Sequence, residues 1–117
     1  MRYMRDWSGV QVLVAIEPRS YREAIGCAIM GLRPDIVVSV VEPEMLLAET
    51  ARLEPQVVIH SRPEEPLAGV VTCIGLPEDP ILPATLYKRG DRSEVPDFDL
   101  EKLIAVLDET VLITQVA

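Results

Sequence analysis

The chain has 117 residues, enough for one domain of ordinary size and too few for a second folded domain beside it. Hydrophobic residues make up 49% and charged residues 26%, which excludes a disordered tail and predicts a soluble globule with an aliphatic core. The formal charge of -8 disfavours binding to nucleic acid or to anionic membranes, because an acidic surface repels their phosphate groups.

No run approaches the about 18 apolar residues of a membrane-spanning helix, and no signal-peptide pattern follows residues 1–7. We therefore expect a cytoplasmic protein. Two cysteines, Cys27 and Cys73, are too few for a disulfide scaffold and are predicted to be buried free thiols. The single histidine, His60, has no second histidine or usable cysteine nearby in sequence, so we expect neither a metal site nor a cofactor.

The first predicted strand covers residues 10–16, a short and nearly continuous apolar run that is typical of a strand covered on both faces. Ser20 and Glu23 have the spacing of a helix capping box. Apolar residues then recur at three- and four-residue intervals and predict one helical stripe that ends near Gly31. This stripe consists of Tyr21, Ala24, Ile25, Ala28, Ile29 and Leu32.

The next elements repeat the alternation of strand and helix. Residues 36–41 predict a second strand, and Pro43 opens a second helix that runs to Leu53. Residues 57–59 predict a third strand. Alternation of this kind predicts right-handed crossovers and a parallel sheet with helices on its faces.

The pattern changes after the third strand. Residues 70–75 and Ala84–Lys88 predict a fourth and a fifth strand, but only eight residues, 62–69 and 76–83, link each to the strand before it. A helical crossover usually needs a dozen or more residues. Prolines recur at threes within both links, which favours extended straps in place of helices. An antiparallel, hairpin-like pairing of the fourth and fifth strands is the alternative.

The C-terminal part begins with residues 89–97, which we interpret as a polar loop. A final helix is predicted to start at Asp97 or Asp99, with about three helices in the whole domain. Residues 112–117 fit an extension of this helix, a short strand or a frayed end equally well. The apolar side of the final helix consists of Leu100, Leu103, Ile104, Leu107 and Val111.

Four segments, taken together, resemble a known family. Residues 12–18 end a buried strand in Glu-Pro, residues 55–61 lead from a proline through a hydrophobic strand to a serine, and Ala84–Lys88 ends in lysine. With residues 98–103, their order and spacing resemble the receiver domain of two-component response regulators. The resemblance is best over residues 12–61. It implies a CheY-like, flavodoxin-like α/β domain with a mostly parallel five-stranded sheet and a role in signal transduction.

The departures from that family decide the expected chemistry. Receivers carry a phosphoacceptor aspartate and an acidic pair that holds Mg²⁺, whereas the matching positions here are Ser61, Ala15 and Ile16. Glu17 and Lys88 are retained, so Glu17, Ser61 and Lys88 are predicted to form a degenerate receiver pocket that could bind a small ligand. We expect no catalytic residue and no aspartyl phosphorylation.

The short links have a second consequence. Without helices between strands three and four and between four and five, roughly 300 Å² of apolar strand surface is expected to lie bare. The strap residues Leu67, Ile81 and Leu82, together with a second subunit, are expected to cover it, which predicts a homodimer.

We therefore interpret residues 1–117 as a single domain, a non-phosphorylatable pseudo-receiver that acts as a protein-interaction module in signalling, with an unknown protein partner. The alternative is a small enzyme or ligand-binding domain that uses the cleft at the carboxyl ends of the strands.

Overall fold

The computed structural model describes residues 10–61, 67, 69–79 and 81–116, with side chains as far as residue 112 in the last helix. The strands are β1 (Gln11–Ala15), β2 (Val37–Val40), β3 (Val57–His60), β4 (Thr72–Gly75), β5 (Ala84–Lys88) and β6 (Asp91–Val95). The helices are α1 (Arg19–Leu32), α2 (Leu46–Leu53) and α3 (Leu100–Val116), and a 3-10 turn over Pro43–Met45 leads into α2.

All six strands form one sheet in the order β2-β1-β3-β4-β5-β6. The first four strands are parallel, whereas β5 is antiparallel to β4 and β6 is antiparallel to β5. The predicted α/β class and mostly parallel sheet are confirmed. The five-stranded receiver topology is corrected at its C-terminal end, where the antiparallel alternative holds. The short link 76–83 needs only to turn at one edge of the sheet, so no crossover helix is required.

The polar segment after β5 is a strand, and our prediction of a loop there was wrong. Arg89 and Gly90 form a two-residue turn with φ of 52° and 90°, and Lys88 pairs with Asp91 across it. Positive φ at both central positions is the geometry that matches the twist of a tight hairpin. The segment escaped prediction because an exposed edge strand carries no apolar alternation, although Gly90 was a turn signal.

One face of the sheet packs against α1 and α3 and holds most of the core. The predicted frame of the last helix is confirmed, since Leu103, Leu107 and Val111 are buried, although Leu100 at its start is exposed. The Asp99 side chain accepts a 2.9 Å hydrogen bond from the Lys102 N–H and so caps the start of α3. The strand residues of this core are Val12, Val14, Val57, Ile59, Ile74, Ala84 and Leu86, and Ile16 and Leu76, which directly follow β1 and β4, belong to it as well.

The start and the buried stripe of α1 both differ from the prediction. The helix begins at Arg19 without a side-chain cap, and Glu23 accepts a 2.9 Å bond from the Arg19 side chain rather than closing a capping box. The predicted stripe residues Tyr21 and Leu32 are exposed, whereas Gly26 is buried against β2. Compared with the prediction, the helix is rotated about its axis so that Gly26 faces β2, because a glycine allows the closest approach of helix to strand.

The opposite face of the sheet is covered by α2 and by Leu67. Its core consists of Leu13, Val58, Cys73 and Tyr87, with Val41, Leu46, Leu53, Leu67 and Val70 packed against it. Leu67 therefore covers the sheet as predicted. The prolines at positions 63, 66 and 80, on which the strap prediction partly relied, lie outside the described residues.

The expected bare apolar surface does not occur on this face of β5 and β6. On the face that carries Cys73, β5 contributes the side chains of Thr85 and Tyr87, and β6 contributes those of Arg92 and Glu94. Tyr87 is buried, while Arg92 and Glu94 are exposed and lie 3.2 Å apart as an ion pair. Polar side chains tolerate water, so this surface needs neither a strap nor a second subunit.

Candidate functional site

The carboxyl ends of β1 and β3 lie side by side because these strands are parallel neighbours. Glu17 lies two residues beyond the end of β1 at this edge and Ser61 directly follows β3, so two of the three predicted pocket residues come together. The Ser61 Oγ accepts a hydrogen bond of 2.9 Å from the Glu17 backbone N–H. The Ser61 side chain thus continues the pairing of the two strands beyond their last ladder pair.

Lys88, the third predicted pocket residue, lies at the opposite end of the sheet. It ends β5 and pairs with Thr72, which begins β4. Its ammonium group forms an ion pair with Glu109 of α3. Because β5 runs antiparallel to β4, the end of β5 points away from Ser61. The predicted grouping is corrected accordingly: Glu17 and Ser61 are neighbours, and Lys88 belongs to a separate contact with α3.

The positions of the receiver's acidic pair are part of the core. Ala15 and Ile16 are both fully buried. The Ile16 carbonyl oxygen points towards β2, where the next ladder donor would be Pro43, which has no N–H. The guanidinium of buried Arg22 approaches this oxygen instead, with Nη1 at 3.5 Å. The chain thus places a positive charge near the position where a receiver binds its cation.

The described residues include no group of three histidine, cysteine or acidic side chains that could hold a metal ion. At the carboxyl edge, the Glu17 carboxylate is exposed and the Ser61 hydroxyl is already engaged. Mg²⁺ favours near-octahedral coordination by oxygen, and one carboxylate contributes little of it.

The side chain of His60 points away from Ser61, because successive strand residues face opposite sides of the sheet. Its Nε2 lies 3.1 Å from the Sγ of Cys73 on β4, and both side chains are buried. The sequence did not indicate this thiol partner, because Cys73 lies 13 residues further along the chain. Only the β3–β4 register brings these residues together. Cys73 is buried as predicted, whereas Cys27 is exposed on α1.

The environment of this pair keeps both groups uncharged. Burial lowers the pKa of His60 and raises the pKa of Cys73 to about 11. The Cys73 sulfur also accepts a backbone hydrogen bond from Leu67, which opposes its pKa shift only in part. A nucleophilic cysteine must be a thiolate. The pair is therefore a hydrogen bond within the core rather than a catalytic dyad.

A turn between β4 and β5 presents two aliphatic side chains at the same carboxyl edge. Ile81 is 88% exposed and Leu82 is 54% exposed, so neither covers the sheet as the strap prediction expected. The Asp79 side chain accepts a 3.0 Å bond from the Ile81 N–H, and its carbonyl oxygen accepts a 3.1 Å bond from the Leu82 N–H. These bonds order the turn and hold its apolar tip in solvent.

Comparisons of the chain with protein-family models, with curated proteins and with solved structures found no match. The receiver resemblance thus stays a prediction, and the structure supports the coarser statement of an α/β domain with a six-stranded, mostly parallel sheet. Among the described helices, none combines the length and the apolar character required to cross a membrane.

Proposed function

We propose that this chain is a receiver-like pseudo-domain that works through protein contact, including contact with a second copy of itself, and without phosphoryl transfer. The observation that supports the proposal most directly is the separation of Ser61 and Lys88 to opposite ends of the sheet. In receivers, as the resemblance implies, the nucleophile, the cation and the lysine act on one phosphoryl group. Phosphoryl transfer depends on such joint positioning and charge neutralisation.

The other groups at the carboxyl edge do not replace that arrangement. A serine nucleophile needs a general base within hydrogen-bond reach, and His60 faces the other side of the sheet, bonded to Cys73. The Ser61 oxygen already accepts a backbone hydrogen bond. These contacts favour a structural role for Ser61.

Contact with a protein is the function that the exposed groups support. Ile81 and Leu82 stand out from an ordered turn, and the neighbouring Glu78 and Asp79 are exposed as well. Exposed aliphatic side chains on an ordered backbone are suited to filling a partner's pocket, since little conformational freedom is lost on binding. The acidic neighbours favour a partner with basic groups around that pocket.

The proposal is tested by incubating the chain with Mg²⁺ and acetyl phosphate and measuring its intact mass. We expect no added mass of about 80 Da, the mass of one phosphoryl group. Ser61→Ala is the matched control, because it removes the hydroxyl at the phosphoacceptor position. An adduct of that mass on the wild-type chain that disappears in Ser61→Ala would contradict the proposal.

The alternative of a ligand-binding cleft is tested on the wild-type chain and on the variants Ser61→Ala and Glu17→Ala. We expect no shift in melting temperature with nucleotides or inorganic phosphate. A shift that Ser61→Ala or Glu17→Ala abolishes would favour the cleft over protein contact.

A further inference from the structure

The outer edge of β2 pairs with no other described strand, because β2 stands first in the sheet order. The backbone N–H groups of Val37 and Val41 donate to carbonyl oxygens of the β1 segment, at 3.1 and 3.0 Å. Successive residues of a strand direct their backbone groups to alternate sides. The N–H and C=O groups of Val38 and Val40 therefore point away from the sheet and have no partner among the other described strands.

The two edges of the sheet differ in charge. β6 carries Asp91, Arg92 and Glu94, all exposed, and charged side chains are a common protection of edge strands against pairing with another chain. β2 has the sequence VVSV, with no charge and no proline. Val37 is 41% exposed and Val40 is 39% exposed, so this edge presents apolar side chains as well as free backbone groups.

We infer that β2 pairs antiparallel with β2 of a second copy of this chain, about a two-fold axis that passes beside Ser39. The inference rests on the proposed contact function and names the surface for contact between copies. In this register, Val38 of one copy pairs with Val40 of the other, and the reciprocal pair forms on the far side of the axis. All four outward backbone groups of each copy then find partners, which makes one continuous twelve-stranded sheet.

The charge of the chain favours a second copy at this strand. Two copies carry -8 each and repel wherever their acidic surfaces meet. Residues 36–41 form an uncharged run, so the paired strands bring no acidic side chains opposite one another. A two-fold axis uses each β2 edge once, and the charged β6 edge is left at both ends of the sheet. The assembly therefore closes at a dimer.

The interface is small. It consists of four residues of each strand and the exposed apolar side chains beside them, such as Met30 on α1, the helix that packs against β2. Stable interfaces usually bury about 800 Å² on each partner, and smaller ones are weak. We therefore expect a dissociation constant of about 10–100 µM, a range typical of transient contacts.

Sedimentation velocity from about 1 µM to about 500 µM brackets that range and measures the association. We expect the wild-type chain to change from monomer to dimer. Ser39→Asp places two carboxylates on residues about 4.5 Å apart at the axis and should raise the dissociation constant about tenfold or more. Ser93→Asp is the matched control, since Ser93 lies in the middle of the β6 edge, and it should leave the constant unchanged.

A second variant keeps the test independent of any unfolding by Ser39→Asp. Ser39→Cys, made in a Cys27→Ser background, places two thiols on a non-hydrogen-bonded pair whose Cα separation suits a disulfide. Mild oxidation should produce a covalent dimer that runs at twice the mass on a non-reducing gel. Ser93→Cys in the same background is the control and should cross-link much more slowly.

A wild-type chain that stays monomeric at about 500 µM would overturn the inference, because even weak pairing is populated there. A dimer that resists Ser39→Asp and forms no Ser39→Cys disulfide uses another surface, which overturns the assignment to β2 but leaves the contact function standing. A phosphoryl adduct at Ser61 does the reverse, since it contradicts the proposed function and leaves the β2 dimer to be judged by sedimentation.

Discussion

His60 Nε2 and Cys73 Sγ lie 3.1 Å apart across the parallel pair β3 and β4, beneath the layer formed by α2 and Leu67. Both groups are held in their neutral forms, because burial lowers the pKa of His60 and raises that of Cys73. Protonation of the His60 imidazole is thus coupled to the packing of the sheet face that α2 and Leu67 cover.

This coupling predicts that the free energy of unfolding decreases as the pH falls below about 6.5, the usual pKa of histidine. The unfolded chain then binds a proton at His60 that the folded chain resists, so protons favour unfolding. Urea unfolding at pH 7.5 and pH 5.5 measures the difference. His60→Gln, which does not titrate, should show a smaller loss over the same interval, and an equal loss in both chains would assign the effect to other groups.

Gly26 is predicted to be the one glycine of α1 that cannot carry a side chain. A Cβ at this position would lie 2.6 Å from the Val40 Cγ2, whereas a Cβ at Gly31 would meet nothing within 4 Å. Gly26→Ala should therefore cost about 1–3 kcal/mol of unfolding free energy by overpacking. Gly31→Ala is the control and should stabilise the helix by up to about 1 kcal/mol. Equal effects of the two substitutions in urea unfolding would contradict the packing of α1 on β2.

Two buried threonines join α3 to β4. The hydroxyls of Thr72 and Thr110 lie 2.7 Å apart, and the Thr110 hydroxyl donates to the Val106 carbonyl at 3.0 Å, so Thr72 acts as the donor between them. Thr110→Val leaves the Thr72 hydroxyl unpaired and should cost about 1–3 kcal/mol. Thr72→Val leaves Thr110 bonded to Val106 and should cost about 1 kcal/mol or less. The reverse order in thermal unfolding would show that the donor assignment is incorrect.

A bidentate ion pair joins the end of α1 to α3. Arg33 Nε and Nη2 contact the two carboxylate oxygens of Asp108 at 2.8 and 2.7 Å, and these hydrogen bonds lower the pKa of Asp108. Both side chains are partly exposed, so a double-mutant cycle with Arg33→Ala and Asp108→Ala should give a small coupling that weakens as the salt concentration rises. Arg33→Lys should lose most of it, because an ammonium group cannot bind both oxygens in the same plane. A coupling that does not weaken in 1 M salt would contradict this account.

The first half of the fold was predictable because each strand is a nearly continuous apolar run and each helix has a clear start or stop signal. Residues 10–16 contain β1 and residues 57–59 belong to β3, two strands that are buried on both faces, and their composition alone indicates this. The predicted start of the second helix at Pro43 is matched by a 3-10 turn that leads into α2. The frame of α3 followed from the spacing of its leucines in the same way.

The candidate site was less predictable, because its grouping depends on the direction of one strand. Ser61 and Glu17 meet because β1 and β3 are parallel, as the crossover predicts. Lys88 ends a strand of equally clear sequence, but the composition of a strand does not reveal whether it runs parallel or antiparallel to its neighbour. The pairing of His60 with Cys73 likewise depends on the register of β3 and β4, which the spacing of side chains within one strand does not reveal.

By itself, the sequence determined the class of the fold, the positions of the apolar strands and the absence of carboxylates at Ala15, Ile16 and Ser61, since these follow from local composition and from residue identity. The tertiary structure decided the reversal of β5, the extra edge strand β6, the polar face of the sheet and the free edge of β2. These features depend on hydrogen bonds between segments far apart in the chain, and such bonds form only when folding has brought the strands side by side.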